Sequence, residues 1–130
     1  MGQKPVEIIL MRQLADTLAM PIFIVDPAGT LLFYNEPAER ILGLRFDETG
    51  ELPRDQWASL WQPTTDDGTP LGADRLPLAI AIAERRAVHG ACWIQGLDGS
   101  RRRIEITAFP LIAAPQQLLG ATAIFWEDER

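Results

Sequence analysis

Two segments joined by a tight turn constrain the fold of this chain more than any other feature. Residues 20–25 (MPIFIV) show no polar alternation, and a strand of that kind is covered on both of its faces. Residues 26–29 (DPAG) then form a turn, because proline presets φ, Gly29 tolerates positive φ, and the Asp26 carboxylate can accept bonds from backbone N–H groups. Residues 30–34 return as the second strand, so the sequence predicts a hairpin in which Asp26 and Gly29 are structural.

A helix is predicted directly after this hairpin. Asn35 is a favourable N-cap, the proline two residues later suits a first turn, and Gly43 ends the helix. Residues 45–75 are irregular apart from a short helix around Trp57. A longer apolar helix over residues 76–86 follows, and its two C-terminal arginines suit the negative end of the helix dipole.

The last third of the chain predicts three more strands. Residues 88–97 and 101–111 pair across Asp98-Gly99, a dipeptide typical of hairpin turns. In the second of these strands, apolar and polar residues alternate and therefore face opposite sides of a sheet. Residues 118–126 form the last strand. This order predicts an α+β fold, with a five-stranded antiparallel sheet and helices packed on one of its faces.

An N-terminal flanking helix is predicted over residues 5–19. Leu10, Leu14 and Leu18 are spaced by four and form one apolar stripe, which Ile9 and its neighbours widen. The stripe is wider than a simple surface helix needs. The surplus indicates a second contact, either with the back of the sheet or with another chain.

Composition narrows the classes of partner and site. The net charge of −6 argues against nucleic acid as a partner, since phosphate binding needs concentrated positive charge. The single cysteine and single histidine exclude an internal disulfide and a multi-cysteine zinc site, so we expect no metal centre. No apolar stretch approaches ~20 residues, so no membrane span is expected. The default location is the cytoplasm.

No catalytic constellation is visible in the sequence. Asp26 with Glu36 or Glu39 could form a carboxylate pair, but no nucleophile, phosphate-binding loop or metal set accompanies it. Turn and cap roles are favoured for these residues. We therefore predict a non-enzymatic protein with no catalytic residues.

The order of elements resembles the PAS domain, and short motifs agree with that order. The first half matches a PAS spacing at Asp26, Gly29, Leu32, Asn35, Ala38 and Gly43. In the second half, a D-G-x-P-L segment before the long helix and a D-G turn after it resemble the subtype common in bacterial sensor kinases. The resemblance implies a flanking helix at 1–19, a PAS domain at 20–127 and a tail at 128–130. No kinase, cyclase or DNA-binding segment follows, so the domain either acts alone or was excised from a longer protein.

The resemblance also implies a place for a ligand, between the concave face of the sheet and the helices. Such a pocket and a solid core have the same composition and differ only in packing, so both remain open. A ligand would be largely apolar, because few ionisable residues fall at these positions. The residues expected to line the pocket are Phe23, Val25, Phe33, Ile41, Leu42, Leu60, Leu76, Ile80, Trp93, Ile106 and Ile124.

Family relationships suggest partners as well as two cofactor-bearing alternatives. PAS domains commonly dimerise through the flanking helix, which predicts a homodimer through Ile9, Leu10, Leu14 and Leu18, with a kinase or regulator acting in trans. In relatives, the end of the last strand couples to the output, and here that place holds residues 126–128. Haem relatives take an axial histidine from the long helix, whereas His89 follows it, and flavin photosensors carry a cysteine on a short helix, whereas Cys92 is on a strand. We therefore expect no cofactor, with a small-ligand carrier or a haem or flavin sensor as the alternative.

Overall fold

The computed structural model describes residues 5–113 and 116–128 of the chain. Residues 1–4 of the predicted flanking segment and residues 129–130 of the predicted tail lie outside this description. The helices and strands, in chain order, are α1 Val6–Thr17, β1 Ile22–Val25, β2 Leu31–Tyr34, α2 Glu36–Leu42, α3 Phe46–Thr49, α4 Arg54–Leu60, a 3₁₀ turn Ala73–Arg75, α5 Pro77–Glu84, β3 Val88–Gln95, β4 Arg101–Ala113 and β5 Gln117–Glu127.

The five strands form one antiparallel sheet in the order β2-β1-β5-β4-β3. The N-terminal hairpin meets the C-terminal strand at the centre, where Phe23 pairs with Ala123. β1 is therefore internal, which explains why all four of its residues are apolar and buried. The predicted α+β class and five-stranded antiparallel sheet are confirmed.

Helices cover both faces of the sheet. The main core lies between one face and the segment from α2 to α5, and it includes Phe23, Tyr34, Trp57 and Trp61. A second, smaller core lies on the opposite face. There Ile8 and Ala15 of α1 pack with residues of β1 and β2.

The flanking helix α1 packs on the back of the sheet, which is one of the two contacts that the sequence analysis allowed. Ile8 and Ala15 are buried, at 2% and 0% exposure. The opposite side of α1 stays apolar and exposed, with Leu10 at 57% and Leu14 at 50%. Ile9 is also exposed, and so is Leu18, which follows the last residue of α1 instead of lying on the predicted helix. Packing on the sheet therefore uses only part of the apolar surface of this helix.

A bulge in the first hairpin corrects the predicted position of Phe33. Val25 pairs with Leu31, but Ile24 pairs with Phe33, so Leu32 is an extra residue in β2. As a result Leu31 faces the main core, whereas Leu32 and Phe33 face α1. Strict alternation from Leu31 would place Phe33 in the main core, and the bulge reverses it.

Three further expected pocket residues lie elsewhere. β3 directs Cys92 and Ile94 into the main core, so Trp93 between them faces the other side of the sheet. Ile124 is on the α1 side for the same reason, because its neighbours Ala123 and Phe125 face the main core. Ile80 is only half-buried on α5, which turns Leu78 and Ala81 inwards instead.

Candidate functional site

A cavity of about 80 Å³ lies between the sheet and the helices of the main core. All of its walls come from apolar, aromatic or thiol side chains, contributed by β1, α2, α4, the start of α5 and the last three strands. The lining residues are Phe23, Leu42, Trp57, Ala58, Trp61, Pro63, Leu76, Pro77, Leu78, Cys92, Ile94, Ile104, Ile106, Ala123 and Phe125. The main core is therefore not completely filled by its own side chains.

Two tryptophans of the α4 segment form the helical wall. Trp57 and Trp61 are spaced by four, so both point to the same side. The indole N–H of Trp57 donates to the Gly29 carbonyl at 2.8 Å, and that of Trp61 donates to the Leu42 carbonyl at 2.9 Å. The ring of Phe23 packs edge-on against both indoles, at centroid distances of 5.0 and 6.2 Å. The polar edges of the indoles are thus satisfied by backbone, and the rings turn apolar surface to the cavity.

The sheet supplies the opposite wall through residues that alternate along each strand. Cys92 pairs with Ile104, and Ile106 pairs with Phe125, so these side chains lie side by side on one face. Burial raises the pKa of the Cys92 thiol to about 11, although the positive charge of Arg103 opposes this shift. The thiol is therefore a neutral, weakly polar part of the wall.

The structure brings together some of the residues expected at the pocket. Phe23, Leu42, Leu76 and Ile106 line the cavity. Val25, Ile41 and Leu60 belong to or pack against the same core without lining it. Sequence reasoning did not include the two tryptophans, although their helical spacing was visible. It also missed the strand residues Cys92, Ile94, Ile104 and Phe125, of which Ile104 shares the alternating face of Ile106.

Asp26 and Gly29 shape the turn of the first hairpin. Asp26 Oδ1 accepts hydrogen bonds at 2.9 Å from the backbone N–H groups of Ala28 and Thr30. Gly29 has φ of +89°, which other residues rarely adopt, and its carbonyl also receives the Trp57 indole. This turn therefore positions one wall of the cavity.

Asn35 joins three elements of the fold. Its Oδ1 accepts from Ala38 N–H at 3.3 Å, as an N-cap does, and also from Ile22 N–H at 3.0 Å. Its Nδ2 donates to the carbonyls of Ala15 and Met20, both at 2.9 Å. The cap role was visible in the sequence, whereas the links to α1 and β1 were not.

The arginine run 101–103 is committed to neighbouring residues of the fold. Arg103 pairs with Asp66 at 2.9 Å, and it also pairs with Asp128 at the end of β5. These two carboxylates raise the pKa of Arg103 above its ordinary value, the hydrogen bond with Asp66 being the largest cause. Arg102 pairs with Glu127 at 2.9 Å. The end of the last strand is therefore tied by charge to β4 and to the loop that holds Asp66.

The residues present do not fit haem or a flavin photoadduct. The side chain of His89 is 56% exposed. Its Nδ1 lies 3.1 Å from Thr107 Oγ1 and its Nε2 lies 3.2 Å from Glu105 Oε1. None of these three residues lines the cavity. Cys92 reaches the cavity from β3 and not from a short helix, which is where flavin photosensors of this fold carry their cysteine. Within residues 5–113 and 116–128, no three His, Cys, Asp or Glu side chains are grouped so that they could bind a metal ion. In the same part of the chain, no helix is long and apolar enough to cross a membrane.

Solved structures with the same fold are numerous but distant in sequence. The PAS domain of BvgS from Bordetella pertussis is 16% identical, with a TM-score of 0.65, and the match covers 95% of this chain and 87% of that one. A PAS domain from Colwellia psychrerythraea is 17% identical, with a TM-score of 0.66, over 94% and 97% of the two chains. The LOV protein of Rhodobacter sphaeroides is 13% identical, with a TM-score of 0.74, over 97% of this chain and 70% of that one. These likenesses establish the fold.

Sequence comparison supplies the family. No curated protein sequence matches the chain significantly. A family model described as PAS domain matches residues 10–77, which is just over half of the chain and includes the first hairpin and the tryptophan wall of the cavity. PAS domains are sensory or signalling modules. The motifs, the five-stranded sheet and this match agree, and the chain belongs to the PAS domain family.

Proposed function

We propose that this chain is a non-enzymatic sensory module whose signal is a small apolar molecule bound in the cavity. The observation that carries the proposal is the cavity wall itself, in which the indole N–H groups of Trp57 and Trp61 are already bonded to backbone. A wall of this kind offers apolar contacts to a ligand, and neither indole N–H is free to bond to it. Apolar cavities in proteins take up apolar guests.

The size of the cavity limits the guest. About 80 Å³ is less than the roughly 150 Å³ of an engineered protein cavity that binds benzene or xenon. It is also well below the roughly 300–1,000 Å³ of sites for drug-sized ligands. The ligand portion held here is therefore a few heavy atoms, unless the walls move apart.

Xenon is a suitable first probe of this cavity. In a ¹H,¹⁵N correlation spectrum, pressurised xenon should shift the indole signals of Trp57 and Trp61 and leave Trp93, on the other face, unmoved. Ala123→Leu places a larger side chain in the cavity wall and should abolish the shifts. The matched control is Ala91→Leu on the same sheet, where the alanine is exposed. No shift at either indole in the unmodified chain would refute ligand binding in the cavity.

The second part of the proposal is a homodimer formed through α1. The supporting observation is the row of exposed apolar side chains on α1, which includes Leu10 and Leu14. Light scattering should give the mass of a dimer for the full chain and of a monomer for the double variant Leu10→Gln, Leu14→Gln. Gln13→Ala, an exposed change on the same helix, should leave the dimer intact. A monomeric full chain would rule out this part of the proposal.

We further propose that the output is a kinase or regulator acting in trans, in the cytoplasm. The support is the ion-pair network at the end of β5, where relatives couple to their outputs. A cofactor-bearing sensor is the second candidate, favoured by the likeness to LOV proteins. An absorbance scan and denaturing mass spectrometry of purified protein test it. We expect a colourless protein, since His89 and Cys92 do not fit either cofactor.

A further inference from the structure

An open groove lies beside the cavity, between α4 and the segment 62–73. Its volume is about 410 Å³, and its walls include Ala58, Ser59, Pro63 and Leu71. Ala58 and Pro63 line the cavity as well. These two side chains are common to the linings of both spaces and stand between them.

The groove differs from the cavity in its chemistry. Its polar lining residues, which we call the rim, are Asp55, Ser59, Gln62 and Thr64. Ser59 already donates to carbonyls of its own helix, and Thr64 Oγ1 already accepts from Arg101. By contrast, the side chains of Asp55 and Gln62 are exposed and form no hydrogen bond or ion pair with residues 5–113 or 116–128. Both side chains remain available to a ligand.

The charge of the groove selects the sign of a head group. Asp55 is the one ionisable residue among its lining residues. Arg101, which donates to the lining residue Thr64, also lies over the ring of Trp93. The chain as a whole carries a net charge of −6. Beside Asp55, an ammonium group or a neutral hydroxyl is therefore favoured over a carboxylate or phosphate.

We propose that cavity and groove form one site for a small amphipathic molecule. Its short unbranched apolar segment passes Ala58 and Pro63 into the cavity, and its cationic or neutral head lies in the groove beside Asp55 and Gln62. This inference rests on the proposed function, because the apolar segment uses the same cavity. It adds the class of ligand, a short-chain amine or alcohol rather than an acid.

The test compares three probes that share a six-carbon chain, namely hexylammonium, 1-hexanol and hexanoate. NMR titration should show all three shifting the indole signals of Trp57 and Trp61, with the Gln62 side-chain amide shifting for the first two. Hexanoate should bind roughly fivefold more weakly than hexylammonium, which is the scale of an exposed charge interaction. The variant Asp55→Asn should abolish this difference without changing the response to xenon.

The variant Ala58→Leu tests the passage between the two spaces, and it should weaken all three probes. Asp55→Asn is a surface change, so the test does not depend on the folding of a core variant. If xenon shifts the indoles but the probes bind equally, or still discriminate in Asp55→Asn, the two-part site is wrong and the apolar cavity stands. If neither xenon nor the probes bind, the proposed function fails and the two-part site fails with it.

Discussion

The Asn35 side chain connects elements that lie on the two sides of the sheet. Its side chain is 1% exposed and bonds backbone groups of α1, β1, α2 and the α1–β1 connection. A buried backbone group that loses its partner costs about 1–3 kcal/mol. The amide is therefore a structural centre of the fold, even though it stands beside apolar strands as a catalytic group might.

Replacing Asn35 should be costlier than replacing Asp26. Asn35→Ala removes four hydrogen bonds to backbone groups, of which the Ala15 carbonyl still accepts from Leu18 N–H, so we expect a loss of at least about 2 kcal/mol in the free energy of unfolding. Asp26→Ala removes bonds from a partly exposed turn and should cost about 0.5–2 kcal/mol. Urea denaturation of both variants measures the two values. Equal losses would show that the links from Asn35 to α1 and β1 contribute nothing.

Cys92 gives the stability of the fold a dependence on alkaline pH. The ordinary pKa of a thiol is 9.0, and burial raises that of Cys92 to about 11. Between these values the unfolded chain releases the thiol proton and the folded chain retains it, so the free energy of unfolding falls as pH rises from about 9 to about 11.

The variant Cys92→Ala isolates this contribution. The unmodified chain should lose more stability between pH 8 and pH 10 than the variant does, as measured by urea denaturation at both values. Tyr34, whose pKa burial raises to about 12, acts in the same direction in both proteins and cancels in the comparison. An identical pH dependence in the two proteins would contradict the role of the thiol.

At the scale of elements, Arg103 connects the end of β5 to the loop beyond α4. The Trp93 indole also donates to Asp66, at 3.0 Å, and Asp128 N–H donates to the Arg103 carbonyl at 2.8 Å. The same loop includes Pro63, which lines both cavity and groove. This network is thus a physical link between the candidate ligand site and the end of β5.

Removing the Arg103 side chain should increase local opening both in the loop beyond α4 and at the end of β5. We expect Arg103→Ala to accelerate hydrogen exchange at the backbone amides of Thr64 and Asp128, because their neighbouring charges are no longer held. Arg45→Ala, which breaks an exposed pair with Asp47, is the matched control and should leave those amides unchanged. Unchanged exchange at Asp128 in Arg103→Ala would mean that the strand end is held by its backbone bonds alone.

At the scale of the whole molecule, α1 covers the second core on one side and presents a candidate dimer surface on the other. Ile8 and Ala15 cover Ile22, Ile24 and Leu32, which would otherwise meet water. One side of the helix therefore serves the fold and the other remains available for association. These two roles can be separated by experiment because they use different residues.

Deleting residues 1–18 should destabilise the domain itself. It removes the burial of Ile8, uncovers the second core and leaves Asn35 without the Ala15 carbonyl, so we expect a loss of more than about 3 kcal/mol. Leu14→Gln, on the exposed side, should change stability by less than about 0.5 kcal/mol. Thermal unfolding at concentrations where both proteins are monomeric makes the comparison. A truncated domain as stable as the full chain would show that α1 does not seal the sheet.

The sequence alone determined the features that depend on near neighbours along the chain. The Asp26 turn, the Asn35 cap and the alternation around Ile104 and Ile106 are set by local backbone preferences and by the period of a strand. They suffice for the element order and the five-stranded sheet, and hence for the resemblance to PAS domains. The structure moved the predicted strand and helix ends by only a few residues, and it added α3 in a segment expected to be irregular.

Tertiary structure alone decided where the two cores divide and whether a space remains between them. Because of the bulge at Leu32, Phe33 faces α1 and not the expected pocket. Because Ile106 pairs with Phe125, Phe125 lines the cavity and Ile124 faces the other side of the sheet. Both outcomes depend on strand register, which a one-residue shift reverses and which the apolar pattern of these strands does not specify. The cavity depends further on how closely side chains from several elements fit, which composition does not encode.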